Sequence, residues 1–294
     1  MINSSTQLLG VIGDPISHSL SPEMQNFIIQ KLGLNYCYNA FHVIPSDLEK
    51  AIESFQALNF KGINVTLPHK QGVIQFLDEV SEEARCLGAV NTIVFKNNRR
   101  FGFNTDVIGF LDSLGEFRHS LKTKTAIVIG AGGSARAVIY ALIQDGIGEI
   151  KIFNRTTQKG EKLKSEMISI TQFDKIYSIP PTMNDLTNEI QNASILINTT
   201  PIGMHPEVHA SPVDDEFLFP KDILVYNLIY NPLETKFLQK ARSAGAHIMN
   251  GLDMLIYQGI ESLKIWTGVE IETEYLVPEL REYLIKKISG QTRY

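Results

Sequence analysis

Short apolar runs alternate with helix-spaced apolar positions along the first hundred residues of the chain. Residues 8–12, 39–43 and 62–66 are rich in β-branched or aromatic side chains and predict strands. Between them, residues 22–32 carry Met24, Phe27 and Ile28 at helical spacing, and residues 47–58 carry Leu48, Ile52 and Phe55. Ser21 before Pro22 predicts an N-cap with proline at the first helical position. Ser46 and Asp47 mark a second helix start. The βαβαβ alternation implies a mostly parallel sheet. A hairpin, 91–95 and 100–103 around Asn97 and Asn98, is expected to close it.

A second alternation begins near Lys122. Thr125–Ile129 predicts a short, fully apolar strand, followed by a helix over 134–144 that ends before Gly146. Glu149–Phe153, residues 194–198 and Leu224–Asn227 predict further strands with helices between them. Continuous apolar strands of this kind belong in a sheet covered on both faces. The tail, 252–266 and then 278–288, reads as helical. The chain has 294 residues, and at roughly 150 residues per domain this favours two α/β domains over a single α/β barrel. A cleft between the domains is the default place for a ligand.

Composition narrows the function classes. A hydrophobic fraction of 44% with 20% charged residues matches ordinary globular chains and excludes disorder. Twenty-seven basic against 32 acidic residues leave a net charge of −5. This argues against nucleic acid or an anionic membrane surface as partner, since both need a basic field. A small anion needs only a few local cations. Cys37 and Cys86 are too few for a disulfide scaffold or a Cys-ligated zinc, and both read as small buried apolar residues. The first ten residues have no basic start or apolar signal core, and no run approaches the roughly 18 apolar residues of a membrane span. A soluble, cytoplasmic protein is the expectation.

The chemistry first shows at Gly130-Ala131-Gly132-Gly133-Ser134-Ala135, which follows one predicted strand and opens a helix. That context is what a glycine motif needs before it means dinucleotide binding. Gly130 permits the tight turn, Gly132 lets backbone approach a pyrophosphate, and Ala135 takes the third glycine's place in helix–strand packing. The helix start offers unpaired N–H groups to phosphates. A plain glycine turn is the alternative. At the end of the next strand an NAD site places Asp or Glu, whereas this chain has Asn154-Arg155-Thr156 and then Lys159. Two cations and no carboxylate favour a 2′-phosphate, hence NADP(H); a solvated Arg and Lys at a helix start is the bland reading.

In the first domain, polar residues gather where open α/β sheets hold ligands. They are His18-Ser19-Leu20-Ser21-Pro22, Asn64-Val65-Thr66-Leu67-Pro68-His69-Lys70, Asn91, and Asn104-Thr105-Asp106. Hydroxyls, amides, one ammonium and one carboxylate suit a polyhydroxylated small acid rather than a metal. Taken singly, Ser21 reads as an N-cap, Asn64 and Asn91 as turn residues, and Lys70 as a surface ammonium. Neither His18 nor His69 is the expected catalytic base.

Together with Gly88-Ala89-Val90-Asn91-Thr92, Asn198-Thr199-Thr200-Pro201-Ile202-Gly203-Met204 and residues 251–258, these stretches resemble the shikimate/quinate dehydrogenase family, in its order and over nearly the whole chain. The resemblance implies a two-domain α/β fold. Residues 1–105 with 251–294 would form a substrate-binding domain with a mostly parallel sheet, and 106–250 an inserted Rossmann-type NADP-binding domain. It implies NADPH-dependent reduction of 3-dehydroshikimate to shikimate, with Lys70 and Asp106 as the catalytic pair. Ser19 and Ser21 would take the substrate carboxylate with Tyr230 nearby; Asn64, Thr66, Asn91 and Gln258 would take ring hydroxyls. Gly130, Ala131, Gly132, Gly133, Ser134 and Ala135 would cradle the pyrophosphate, and Asn154, Arg155, Thr156 and Lys159 the ribose phosphate. Thr200, Met204, Leu228 and Gly251 would complete the cofactor site, Met204 and Gly251 at its nicotinamide end. The implied state is monomer or homodimer.

Two positions depart from the family's habit: Asn227 stands where relatives usually carry Asp, and Lys159 where Arg is frequent. The rival within the family is a quinate/shikimate dehydrogenase using NAD or NADP, which the Ser19–Gln25 stretch and the tail 257–268 also resemble. A non-catalytic metabolite sensor is the distant alternative, disfavoured because Lys70 and Asp106 are both present.

Overall fold

The structure, a computed structural model, describes residues 2–291. Residues 1 and 292–294 of the expected substrate domain lie outside the described residues. The chain divides into two compact units, Met1–Gly109 with Leu255–Lys287 and Phe110–Met254 with Ile288–Tyr294.

In chain order the elements begin with β1 (Gln7–Gly13), α1 (Ser21–Lys31), β2 (Tyr36–His42), α2 (Leu48–Ala57), β3 (Gly62–Val65), β4 (Glu79–Val80), α3 (Glu82–Leu87), β5 (Thr92–Lys96) and β6 (Arg99–Phe103). Then come α4 (Asp106–Ser113), α5 (Phe117–Ser120), β7 (Thr125–Ile129), α6 (Gly133–Gln144), β8 (Glu149–Phe153) and α7 (Thr157–Thr171). They are followed by β9 (Ile176–Ile179), α8 (Met183–Ile190), β10 (Ile195–Asn198), β11 (Leu224–Asn227), α9 (Lys236–Ser243) and β12 (His247–Met249). The last helices are α10 (Leu252–Thr267) and α11 (Thr273–Gln291).

The first sheet runs β2-β1-β3-β5-β6-β4. β1 is parallel to β2 and β3, β5 is antiparallel to β3 and β6, and β4 is parallel to β6. The Asn-Asn turn at 97–98 reverses the chain because both residues take positive φ, 53° and 58°, which asparagine tolerates better than most side chains. Ile12, Ile63, Val65, Val90 and Ile93 bury one face against Ile52 and Phe55 of α2. α10 is pinned to this sheet by Trp266, whose Nε1 donates to the Ile93 carbonyl at 2.9 Å. These strand directions bring the ends of β1, β3 and β6 and the start of β5 to one end of the sheet.

The second sheet runs β12-β11-β10-β7-β8-β9 and is parallel throughout. Read from β9, its order in the chain is 3-2-1-4-5-6, the doubly wound arrangement whose reversal point, here between β7 and β10, is where such sheets bind dinucleotides. Its strands are the buried apolar runs that a sheet covered on both faces requires.

Some expectations fail locally. α1 begins at Ser21 itself, with Leu20 as N-cap and no side-chain cap; the Ser19 hydroxyl instead accepts from the Ser21 N–H at 3.3 Å. Cys37 and Cys86 are half-buried rather than buried, because one lies on an edge strand and the other on a helix that buries only one face. β4 and β12 are too short to show a pattern, and β9 buries only Ile176 and Ile179. Among the described residues no helix is long and apolar enough to cross a membrane.

Candidate active site

Lys70 follows β3 in a turn tied to the start of the hairpin: its carbonyl accepts from the Val90 N–H at 2.8 Å. Asp106 opens α4 just beyond β6, and its own amide donates to Asn104 Oδ1 at 2.9 Å. The two side chains meet with Lys70 Nζ donating to Asp106 Oδ2 at 2.6 Å, and they are 25% and 14% exposed. The bond to Asp106 uses one of the three ammonium protons. The pair is thus sheltered but reachable, the condition for a group that must exchange a proton with a ligand.

The second carboxylate oxygen of Asp106 accepts from Asn91 Nδ2 at 2.8 Å. Asn91 is buried and its amide is fully engaged. Its other N–H donates to Thr105 Oγ1 at 3.0 Å, and its Oδ1 accepts from the Thr92 hydroxyl and the Thr105 amide, both at 2.9 Å. Asn64, on β3 beside Thr92, directs Nδ2 at the Asn91 carbonyl, Thr92 Oγ1 and Ser262 Oγ, at 3.1, 3.1 and 3.0 Å. Its Oδ1 accepts from the Tyr38 phenol at 2.7 Å. Glu83 of α3 faces the same region: burial, then the Asp106 charge, raises its carboxyl above the usual range.

Among the remaining residues expected in the substrate site, Ser19 and Ser21 are half-buried at the start of α1. Thr66 is half-buried, its N–H bonded to the Ile12 carbonyl at 2.9 Å. Gln258 on α10 donates from Nε2 to the Leu255 carbonyl at 2.8 Å, and its own backbone carbonyl accepts from Ser262 Oγ at 2.9 Å. His69 is buried and its Nε2 bonds the Val43 carbonyl at 2.6 Å, so it ties the turn to the end of β2. Tyr230 belongs to the second unit; burial raises its phenol above the usual range. The network therefore joins Lys70, Asp106, Asn91 and Asn64 directly, with the Gln258 backbone carbonyl joined through Ser262.

Tyr38 and Ser262 escape a sequence reading. Ser262 leaves a trace, a hydroxyl on the same α10 face as Gly259, Leu263 and Trp266, where a polar group needs a buried partner. Tyr38 leaves none, because a tyrosine in a strand is expected for packing alone.

In the second unit, Gly130 takes φ 115° and a Cβ there would lie 2.5 Å from Thr199 Oγ1; only glycine fits. Gly132, the N-cap of α6, and Gly133 are exposed, and a Cβ on either would meet nothing within 4 Å. No side chain caps this helix start and no acid lies in its first turn. Exposed Ser134 adds a hydroxyl, half-buried Ala131 keeps the loop short, and Ala135 is buried against the sheet. These are the features of an anion cradle, so the residues present fit a dinucleotide pyrophosphate.

Beyond β8, Asn154 Nδ2 donates to the Thr156 carbonyl at 2.8 Å and closes the turn. Thr156 is the N-cap of α7 without a side-chain cap, and no acid lies in that first turn. Arg155 and Lys159 are exposed and make no ion pair among the described residues. Beyond β10, Thr200 Oγ1 donates to Asn198 Oδ1 at 2.7 Å, and Met204 is 46% exposed. Gly251 lies against the Leu228 carbonyl, which a Cβ would approach to 1.9 Å.

Asn227 is fully buried. Its Oδ1 accepts from Asn198 Nδ2 and the Ile229 N–H at 3.1 and 3.2 Å, and its Nδ2 donates to Thr235 Oγ1 at 2.8 Å. The amide is a strut among β10, β11 and the cap of α9.

A doubly wound nucleotide-binding sheet, coupled in one chain to a second α/β unit bearing a lysine–carboxylate pair, defines a two-domain α/β dehydrogenase. Three family models match in order: the shikimate dehydrogenase substrate binding domain over residues 11–93, shikimate/quinate 5-dehydrogenase over 113–214, and the shikimate 5′-dehydrogenase C-terminal domain over 251–277. The shikimate dehydrogenase (NADP(+)) of Caldanaerobacter subterraneus subsp. tengcongensis is 42% identical over 290 residues, covering 95% of this chain and 98% of that protein. A crystal structure of a shikimate dehydrogenase in complex with NADP+ superposes with TM-score 0.89 at 40% identity, covering 98% of both chains. The Thermus thermophilus shikimate 5-dehydrogenase, solved with NADP(H) and shikimate, gives TM-score 0.82 at 34% identity, covering 96% of this chain and 99% of that one. The chain belongs to the shikimate dehydrogenase family.

Proposed function

We propose that this protein catalyses the reversible, NADP-dependent interconversion of 3-dehydroshikimate and shikimate, a step towards chorismate and the aromatic amino acids. It acts in the cytoplasm as a monomer or homodimer. The observation that carries this reading is the contact of Lys70 with Asp106 at 2.6 Å, set among amides and hydroxyls suited to a polyol acid. The first unit is the substrate-binding domain and the second the NADP-binding domain.

NADPH, when bound, supplies hydride to the substrate carbonyl carbon. Negative charge then grows on the carbonyl oxygen, and Lys70 Nζ stabilises it and delivers a proton. In the oxidative direction the same nitrogen collects the hydroxyl proton. Asp106 holds the ammonium on one side and accepts from a ring hydroxyl; Asn91 fixes the plane of that carboxylate. Asn64, Thr66 and Gln258 meet ring hydroxyls, Asn91 acts through the Asp106 carboxylate it holds, and Ser19 and Ser21 hold the substrate carboxylate. Residues 130–135 cradle the pyrophosphate. Asn154, Arg155, Thr156 and Lys159 take the 2′-phosphate, and Thr200, Met204, Leu228 and Gly251 complete the cofactor site, Met204 and Gly251 at its nicotinamide end.

Initial-rate oxidation tests the reading, pairing shikimate or quinate with NADP+ or NAD+. Activity confined to shikimate with NADP+ is expected. Comparable rates with quinate or NAD+ would place the protein in the dual-substrate branch. Silence in all four pairings, with cofactor binding retained, would replace the enzyme by a sensor.

A further inference from the structure

Tyr38 stands outside the residues assigned above, yet its hydroxyl lies at the centre of the substrate-domain network. The side chain is fully buried. Its OH donates to Asn64 Oδ1 at 2.7 Å. One buried hydroxyl therefore braces a residue assigned to the ring hydroxyls of the substrate. Its backbone is held as firmly. β2 is an edge strand, and the outward groups of Tyr38 are both taken by one side chain. Asn26 Nδ2 donates to the Tyr38 carbonyl at 2.8 Å, and the Tyr38 N–H donates to Asn26 Oδ1 at 3.0 Å. The ring lies against Trp266, centroids 6.0 Å apart.

The consequence for Asn64 follows from donor and acceptor accounting. An amide in a pocket can present either its N–H groups or its oxygen to a ligand. The Asn91 backbone carbonyl can only accept and takes Nδ2, so Oδ1 is turned to the Tyr38 phenol, whose proton, held more tightly because burial raises the group well above the usual range, is donated to it at 2.7 Å. The two Nδ2 protons are then shared among three acceptors, the Asn91 carbonyl, Thr92 Oγ1 and Ser262 Oγ. Only the second lone pair of Oδ1 is left for a ligand. We propose that Tyr38 is a positioning residue for substrate specificity: held by Asn26, it orients the Asn64 amide so that Asn64 accepts from a substrate hydroxyl and never donates to one. The proposal rests on the reading of this site as the shikimate site.

Wild-type protein is assayed first with shikimate and NADP+, which tests that underlying reading by itself. Given wild-type activity, Tyr38→Phe, which keeps the ring and the backbone bonds, is expected to raise KM for shikimate about 5- to 30-fold, the worth of one buried hydrogen bond. KM for NADP+ and kcat should move less than about threefold. Because Tyr38 acts through Asn64, adding Tyr38→Phe to Asn64→Ala should change KM no further. A KM for shikimate unchanged by Tyr38→Phe, or full additivity with Asn64→Ala, overturns the proposal. Asn26→Ala, which loosens the phenol without removing it, reads the same effect independently should Tyr38→Phe be insoluble. It is expected to raise KM for shikimate by a smaller factor, and an unchanged KM overturns the proposal equally.

Discussion

Lys70 and Asp106 lie 36 positions apart in the chain, yet the ammonium of one donates to the carboxylate of the other at 2.6 Å. Asn91 supports the pair from behind, donating to the other carboxylate oxygen. Each of the three comes from a different segment at the same end of the first sheet, so the geometry depends on strand order rather than on any local motif. On the proposed mechanism Lys70→Ala removes the proton donor and leaves the amides and hydroxyls in place. It is expected to lower kcat by about two to four decades, the range for a lost general acid, with a much smaller change in KM for shikimate. Steady-state rates with both substrates varied check this. An unchanged kcat with weakened substrate binding would make Lys70 a binding residue.

Arg155 and Lys159 carry positive charge at the start of α7, where the helix dipole disfavours it. Neither has an ion-pair partner among the described residues. The charges make sense if a dianion is to be held between them. Arg155→Ala is expected to raise KM for NADP+ about 10- to 100-fold, the cost of a lost charge-assisted bond, and to leave KM for NAD+ unchanged. Lys159→Ala should act in the same direction but less, since an ammonium meets phosphate as a point charge. Equal effects on both cofactors would show that these residues do not read the 2′-phosphate.

Much of the architecture is legible in the sequence because its signals are local. The glycine loop at 130–135 between an apolar strand and a helix, and the carboxylate-free turn at Asn154, name their chemistry within a few residues. The parallel second sheet and the mostly parallel first one follow from strand–helix alternation. What stays hidden depends on contacts between distant segments. Ser262 bonds Asn64 across 198 positions and Thr92 across 170. Asn26 bonds the backbone of Tyr38, and a bond to backbone leaves no mark in the residue it reaches. β4 and β12 are two and three residues long and owe their existence to a neighbouring strand rather than to their own composition. The half-burial of Cys37 and Cys86 likewise depends on which elements cover them.

Gly62 shows how tightly α10 is seated. A Cβ on Gly62 would lie 2.1 Å from Trp266 Nε1, the atom that donates to the Ile93 carbonyl. Gly62→Ala must therefore push the indole out of its seat and break that bond. A loss of about 2–4 kcal/mol is expected, combining overpacking with an unpaired buried carbonyl. Trp266 is the chain's single tryptophan, so urea unfolding followed by its fluorescence reports directly on the first unit. A midpoint unchanged from wild type would mean that the sheet and α10 separate at little cost.

Glu83 carries a pH signature. Its carboxyl is raised above its ordinary value of 4.5, first by burial and then by the charge of Asp106. In the folded state it therefore holds a proton more tightly than in the unfolded chain. Stability falls as pH rises from the ordinary value through the raised one, and above both the folded protein bears the full cost of a confined carboxylate. Glu83→Gln removes that cost. The variant should melt at a higher temperature than wild type at pH 7, and the gain should shrink towards zero as the pH falls below about 4, where both states are protonated in either protein. Thermal unfolding at a series of pH values between these limits checks the sign. A gain that grew on acidification would mean that Glu83 is stabilised as a carboxylate, and that the Asp106 charge is not what it meets.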